Sequence, residues 1–458
     1  MKAGRAYLWW FFIINFALLL WPLAVSFGFG ANRAVFYVVR IGQLSTILLL
    51  WAAIRAYRRR ALTPPMSPAL RLGMTAMGVL IVLLTGYGLL RGEAIYWIAA
   101  DMWIFLIFLC FVALGRHDEV WDDLMRMLVV LFWIGFGLVL LGLGRVGSGS
   151  WDVGITGGAI QDIGERGTGT AAYDIRYVLW LWPILFAWGY LQAPAGPMKL
   201  AALAVAPACL ALQIVSFKFR ADVGLIMLEV VTVVVVLPAL QRKLKPVTAV
   251  LVVLGLLIAF GALAGSQAMV QFTSRFAEEG KFGFRIAEFE AFTGDMNPVE
   301  YIFGRGMGGS YLPSVTTADV AKVGVSRGFH MGILFPLLKG GLILWLLYAA
   351  FFAKAFWVKP PGWYGNPRNA IAMSVLPMFI VSQLLIPMPT ITGFLSEVVA
   401  AMGCARLTLP SPQEYQLDAY ADYGQAYGGG YGEAAYGQAE PAGDAQTAQE
   451  PLAPAQES

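Results

Sequence analysis

Hydrophobic positions along this chain gather into long blocks, with few of the alternating or one-sided stripes expected of a soluble fold. Apolar runs of about 18 to 24 residues recur near 7–27, 34–54, 72–90, 94–114, 124–144, 174–192, 199–217, 221–240, 247–265, 331–353, 370–387 and 390–408. A run of that length crosses the hydrocarbon core of a bilayer as a helix, because a helix satisfies its own backbone polar groups. The pattern predicts an all-α, polytopic integral membrane protein of about twelve transmembrane helices with both termini on one side. Lys2 and Arg5 precede the first run, and Ala24-Val25-Ser26 looks like a cleavage site. That run is long for a signal segment and many similar ones follow, so we read it as an uncleaved anchor.

Two stretches break the pattern. One is a long polar loop, 266–330, between the ninth and tenth runs. The other is the tail 411–458, where Tyr415, Tyr420, Tyr423, Tyr427, Tyr431 and Tyr436 are spread among Gly, Ala and Gln, a composition unable to bury a core. The expected organisation is a membrane domain over 1–410 and a disordered acidic cytoplasmic tail, with no internal repeat.

Charge then orients the spans. Charged residues make up only 13% of the chain, against about a quarter in soluble domains. Eight acids and no base lie beyond Pro410, so the membrane domain carries 32 basic against 20 acidic residues. Placing the N-terminus in the cytoplasm puts Arg55, Arg58, Arg59, Arg60, Arg71, Arg116, Lys199, Arg242, Lys243, Lys245, Lys354, Lys359, Arg368 and Arg406 on inside loops. This is the positive-inside pattern of an N-in, C-in protein, and it makes the basic excess a membrane feature with no nucleic-acid partner implied. The 266–330 loop is then extracytoplasmic. Cys110, Cys209 and Cys404 fall inside apolar runs, as small buried side chains would.

Outside arginines gain nothing from that rule and need another reason. Lys218 and Arg220 sit in a tight outer turn, Arg220 beside the positive end of the eighth span, where a phosphate is favoured. Arg285 lies on an amphipathic segment with Phe282, Ile286 and Phe289 on one stripe. Arg305 is inside the glycine-rich turn Gly304-Arg305-Gly306-Met307-Gly308-Gly309, and Arg327 follows. Of the two histidines, His117 reads as a solvated loop residue. His330 enters the tenth span at its N-terminal end, which favours a neutral imidazole able to accept a proton. Arg40, Asp101, Glu229 and Glu397 lie within apolar runs. Arg40 and Asp101, at similar depth, are expected to pair, and Glu229 is the feature friendliest to a transporter.

From Leu212 to Trp345, the order of these pieces resembles the O-antigen ligase and O-antigen (exopolysaccharide) polymerase superfamily of bacterial membrane glycosyltransferases. The pieces are an Arg segment between two spans, an outer-loop Arg with an amphipathic helix, Asn297-Pro298, Ile302-Phe303-Gly304-Arg305-Gly306, then His330 and Gly340-Gly341. The resemblance implies a GT-C-like, metal-independent enzyme of the bacterial inner membrane that needs no cofactor. It would move a glycan from an undecaprenyl-diphosphate carrier to an acceptor glycan or glycolipid. It further implies that Arg220 and Arg285 hold the diphosphate, with Lys218, Arg305 and Arg327 as further contacts, and that His330 acts on the acceptor hydroxyl. Met331, Leu344 and Gly224 depart from the ligase pattern, so polymerase is preferred. The competing expectations are a secondary transporter or lipid-linked-glycan flippase, and a scaffold whose tail recruits polysaccharide-assembly partners.

Overall fold

The computed structural model describes residues 2–19, 33–58, 66–145, 181–212, 220–237, 289–312, 332–355, 366–385 and 394–409. Every regular element among them is helical. In chain order they are α1 (Lys2–Leu19), α2 (Arg33–Arg58), α3 (Pro68–Leu90), α4 (Ile95–Leu114), α5 (Asp118–Arg145), α6 (Trp182–Leu191), α7 (Pro197–Leu203), α8 (Val205–Leu212) and α9 (Arg220–Val231). A π turn, Thr232–Val236, continues α9. After it come α10 (Pro298–Phe303), a 3-10 turn (Gly332–Leu334) running into α11 (Phe335–Ala355), α12 (Pro367–Leu385) and α13 (Phe394–Leu407).

Among the described residues, three helices are long and apolar enough to cross a membrane: α3, α4 and the stretch Gly332–Ala355. The chain is therefore an all-helical protein with membrane-spanning character. The seventh run, read as one span, is divided into α7 and α8 at Ala204. The ninth run, 247–265, and the tail lie outside the described residues.

Helix α4 is the hub. Fourteen of its twenty residues are buried, including Phe105, Phe108 and Phe111, as expected for a helix apolar on every side. It packs between α2, α3 and α13. Phe108 lies edge-on to Phe351 of α11, ring centroids 5.5 Å apart, and Tyr348 meets the same ring at 5.1 Å. Such contacts matter here because helix association within lipid relies on close packing more than on water exclusion.

At one end of the bundle the N-terminal part of α1, the starts of α5 and α12 and the end of α13 are joined by ions. Arg5 pairs with Asp123, which also accepts from the Tyr57 hydroxyl at 3.1 Å. Asp118 faces both Arg406 and Arg368, and Asp122 accepts from Arg368 at 2.9 Å and from Gln192 at 2.8 Å. Basic residues read in the sequence as orientation signals thus also lock helix ends together.

The structure corrects the reading of His117. It is only 3% exposed, with its ring 6.0 Å from that of Tyr57 and its amide bonded to the Leu114 carbonyl. Burial, with Arg116 and Arg58 adding to it, pushes the imidazole down to about 4, so it is neutral in the folded protein near pH 7.

Candidate functional site

The polar stretch between the ninth and tenth apolar runs contributes one well-defined wedge, residues 295–312, and its local sequence dictates its shape. Asn297 caps α10, accepting from the Val299 and Glu300 amides at 3.0 Å, while Glu300 reaches back to the Asn297 amide at 3.2 Å. This reciprocal box, with Pro298 at the first helical position, starts a helix of only six residues. Gly304 ends it at φ 71°, a left-handed conformation that a side chain would resist.

Beyond Gly304 the backbone threads into the bundle. The Arg305 amide donates to the Leu338 carbonyl at 2.8 Å and the Gly306 amide to that of Lys339 at 2.9 Å. Those carbonyls are available because α11 is broken at Gly340 and Gly341, the latter at φ 60°. In a continuous helix they would accept from residues four positions on. The turn and the break therefore complete each other. Their approach is close enough that a Cβ on Gly304 would lie 2.5 Å from the Gly340 and Gly341 nitrogens.

Further along, the Met307 amide bonds the Leu84 carbonyl of α3 at 3.1 Å, and the Gly308 amide donates to Asp101 of α4 at 2.6 Å. Asp101 is the seventh residue of α4, roughly 9 Å below its start at 1.5 Å per residue. The wedge is thus inserted among α3, α4 and α11. Irregular backbone at that depth is tolerated because protein surrounds it, and Gly304 to Gly309 are all buried.

Two charge clusters hold it. Lys339, fully buried, pairs with Asp101 at 2.8 Å and donates to the Gly309 carbonyl at 2.6 Å. Glu300 joins Arg91, the cap of α3, at 2.8 Å to Arg305 at 3.0 Å. Burial pushes the Glu300 carboxyl up, but hydrogen bonds from Arg91, Arg305 and the Asn297 amide outweigh it and hold the group below its ordinary range. The same contact with Glu300 raises Arg91.

Of the candidate catalytic and diphosphate-binding residues, Arg305 is the one whose side chain is described. Its guanidinium pairs with Asp295 at 2.7 Å and with Glu300, and donates to the carbonyls of Asp295 and Ser310. It therefore ties the two ends of the wedge together. Arg220 is the first residue of α9, and its side chain lies outside the described residues, as do Lys218, Arg285, Arg327 and His330 altogether. The described Asp101 partner is Lys339; the Arg40 side chain is not among those described. Sequence reasoning passed over Lys339 although a signal existed, since a lysine inside an apolar run directly before Gly-Gly needs a buried counter-charge.

Two more helix carboxyls are fully buried. Glu397 of α13 accepts from the Tyr348 hydroxyl of α11 at 2.8 Å. Glu229 of α9 faces Ser374 of α12, whose hydroxyl donates instead to the Ile371 carbonyl at 2.9 Å. Neither Glu229 oxygen completes a hydrogen bond among the described residues. No metal-binding group of His, Cys, Asp and Glu occurs among them either.

Comparison of the chain with family models, with curated proteins and with solved structures returned no match. The class these observations define is an all-helical membrane protein with an irregular segment pinned beside a broken helix.

Proposed function

We propose that this protein is a metal-independent membrane glycosyltransferase of the O-antigen polymerase or ligase type. In this reading it has about twelve spans, lies in the bacterial inner membrane with both termini cytoplasmic, and works at the periplasmic face. The observation that carries the proposal is the wedge. A loop read as extracytoplasmic, which in the sequence also carries His330, is bonded through its glycine turn to a broken helix. Preorganised placement of reacting groups is what a transfer between two bulky lipid-linked partners requires.

The acceptor hydroxyl attacks the anomeric carbon of the carrier-linked sugar, and the bond from that carbon to the diphosphate oxygen breaks. His330, as a neutral imidazole, takes the hydroxyl proton. Arg220 and Arg285, with Lys218 and Arg327 nearby in sequence terms, stabilise the charge gathering on the departing diphosphate. Arg305 serves the reaction by fixing the turn, since its guanidinium already faces two carboxylates. Membrane lipid is the second partner, and the tail beyond Pro410 is a route to polysaccharide-assembly proteins.

The test is transfer from undecaprenyl-diphosphate-linked oligosaccharide by the purified chain in nanodiscs, read by product length. His330→Ala and Arg220→Ala should each lower turnover by at least about 10²-fold, the scale of a general base or an oxyanion donor. Deleting the gene separates the variants: loss of a polymerase leaves single repeats, and loss of a ligase leaves long chains on the carrier. Glu229, buried without a hydrogen-bond partner among the described residues, favours a second reading as a transporter or flippase. That reading wins if Glu229→Gln abolishes substrate movement while His330→Ala and Arg220→Ala change nothing.

A further inference from the structure

The stretch Gly332–Ala355 is long and apolar enough to cross a membrane, yet only part of it has a free outer surface. From Leu342 onward it shows an apolar face, with Leu342, Ile343 and Leu346 exposed on one side of the helix. Over 332–341, up to and including the break, none of its residues is exposed. Helix α10 packs against α11 at that break. A Cβ on Gly341 would lie 2.3 Å from the Ile302 carbonyl, and two residues past α10 the Arg305 amide bonds the Leu338 carbonyl at 2.8 Å. On its other side α10 presents Val299, Ile302 and Phe303, which are 63%, 47% and 52% exposed. Their spacing of three and four puts them on one face. The one charged residue of α10, Glu300, is buried and held by Arg91 and Arg305.

A helix in a watery loop would carry the opposite pattern, with its charge outside and its apolar residues turned in. The level of α10 along α11 explains the inversion. Lys354 is the charged residue at the far end of α11, and Gly341 lies thirteen positions before it. At 1.5 Å per residue that is about 20 Å, well short of the ~30 Å thickness of a hydrocarbon core. Ile302, in contact with Gly341, is therefore still inside that core when α11 spans it. The other end of α10 is level with the end of α3, a second spanning helix, since Glu300 meets the α3 cap Arg91 at 2.8 Å. We propose that Val299, Ile302 and Phe303 insert among phospholipid acyl chains in the leaflet where α3 ends, continuing the lipid-facing surface of Leu342, Ile343 and Leu346. The wedge then has two faces, a polar one closed against the bundle and an apolar one bathed in lipid. This surface is independent of the proposed activity and rests only on α3 and α11 crossing the bilayer.

The experiment uses the unaltered full chain in phosphatidylcholine nanodiscs. One sample contains phosphatidylcholine with a diazirine midway along an acyl chain, and a second receives a charged, water-soluble diazirine. After illumination, adducts are located by mass spectrometry. Because Val299, Ile302 and Phe303 are about as exposed as Leu342, Ile343 and Leu346, the acyl probe should label the two sets to a similar extent. The expected yield on α10 is at least about a third of that on α11, with the water-soluble probe at background on both. A lower acyl yield on α10 overturns the proposal, and so does labelling of α10 by the water-soluble probe. Protection of α10 from both probes, accompanied by chemically cross-linked dimers, assigns the face to a second copy of the chain and also overturns it. Acyl labelling absent from both helices removes the spanning role of α11 and the proposal with it. No turnover is read, so a failed transfer assay leaves this outcome untouched.

Discussion

Lys339→Met is the sharpest test of the wedge. Methionine keeps most of the lysine stem and removes only the ammonium, so packing around a fully buried position changes little. What changes is the charge facing Asp101, itself 6% exposed, at 2.8 Å, and the donor to the Gly309 carbonyl. Removing one partner of a buried pair leaves an uncompensated charge and typically costs about 3–5 kcal/mol. The cost should appear as local opening of 304–311, whose amides are tied to Leu84, Asp101, Leu338 and Lys339. Hydrogen exchange read by mass spectrometry should then show protection of these residues falling on the order of 10²- to 10³-fold. Adding Asp101→Asn removes the stranded charge while keeping an acceptor for the Gly308 amide, so the double variant should recover at least about 2 kcal/mol. A loss under tenfold in the single variant, or a double variant no better than the single, would refute the reasoning.

Gly341→Ala should cost at least about 3 kcal/mol and sharply lower the yield of folded protein, because φ is 60° and a Cβ would press on the Ile302 carbonyl. Gly137→Ala, where a Cβ meets nothing within 4 Å, should be neutral or slightly stabilising. His117 has a folded value of about 4, below its ordinary 6.5, so its contribution is complete above about 6.5 and is lost as pH falls towards 4. Thermal melts should show up to about 3 kcal/mol of such loss, and His117→Gln should flatten that part of the profile. Glu300 is depressed as well, so its support is present above the ordinary carboxylate range and disappears as acid passes its folded value. Loop exchange should accelerate in that window, and Glu300→Gln should be fast at every pH.

Several parts of this architecture were readable before any coordinates. Asn297-Pro298, quoted from the sequence only as part of the resemblance, also carried a local signal for a helix start, since an asparagine oxygen and a missing proline amide suit neighbouring positions there, and the capping box is present. The glycine run after Phe303 was readable as a sharp turn for the same kind of local reason. Asp101 was recognisable as a group needing a partner, yet the choice of Lys339 was not. The two are 238 positions apart and meet only because α3, α4 and α11 close around the wedge. His117 misled for the converse reason, since its neighbours Arg116 and Asp118 look like a wet loop until Tyr57 covers it.

Block hydrophobicity, helix starts and stops and the placement of glycines follow from interactions spanning a few residues, and the amino-acid order alone sets them. That a loop should be swallowed by the bundle, that a helix should break to receive it, and that each buried charge should find its counterpart depend on groups far apart in the chain. In a low-dielectric interior an ion or an open carbonyl must be answered by whatever the packing brings near. Only the assembled helices decide what that is.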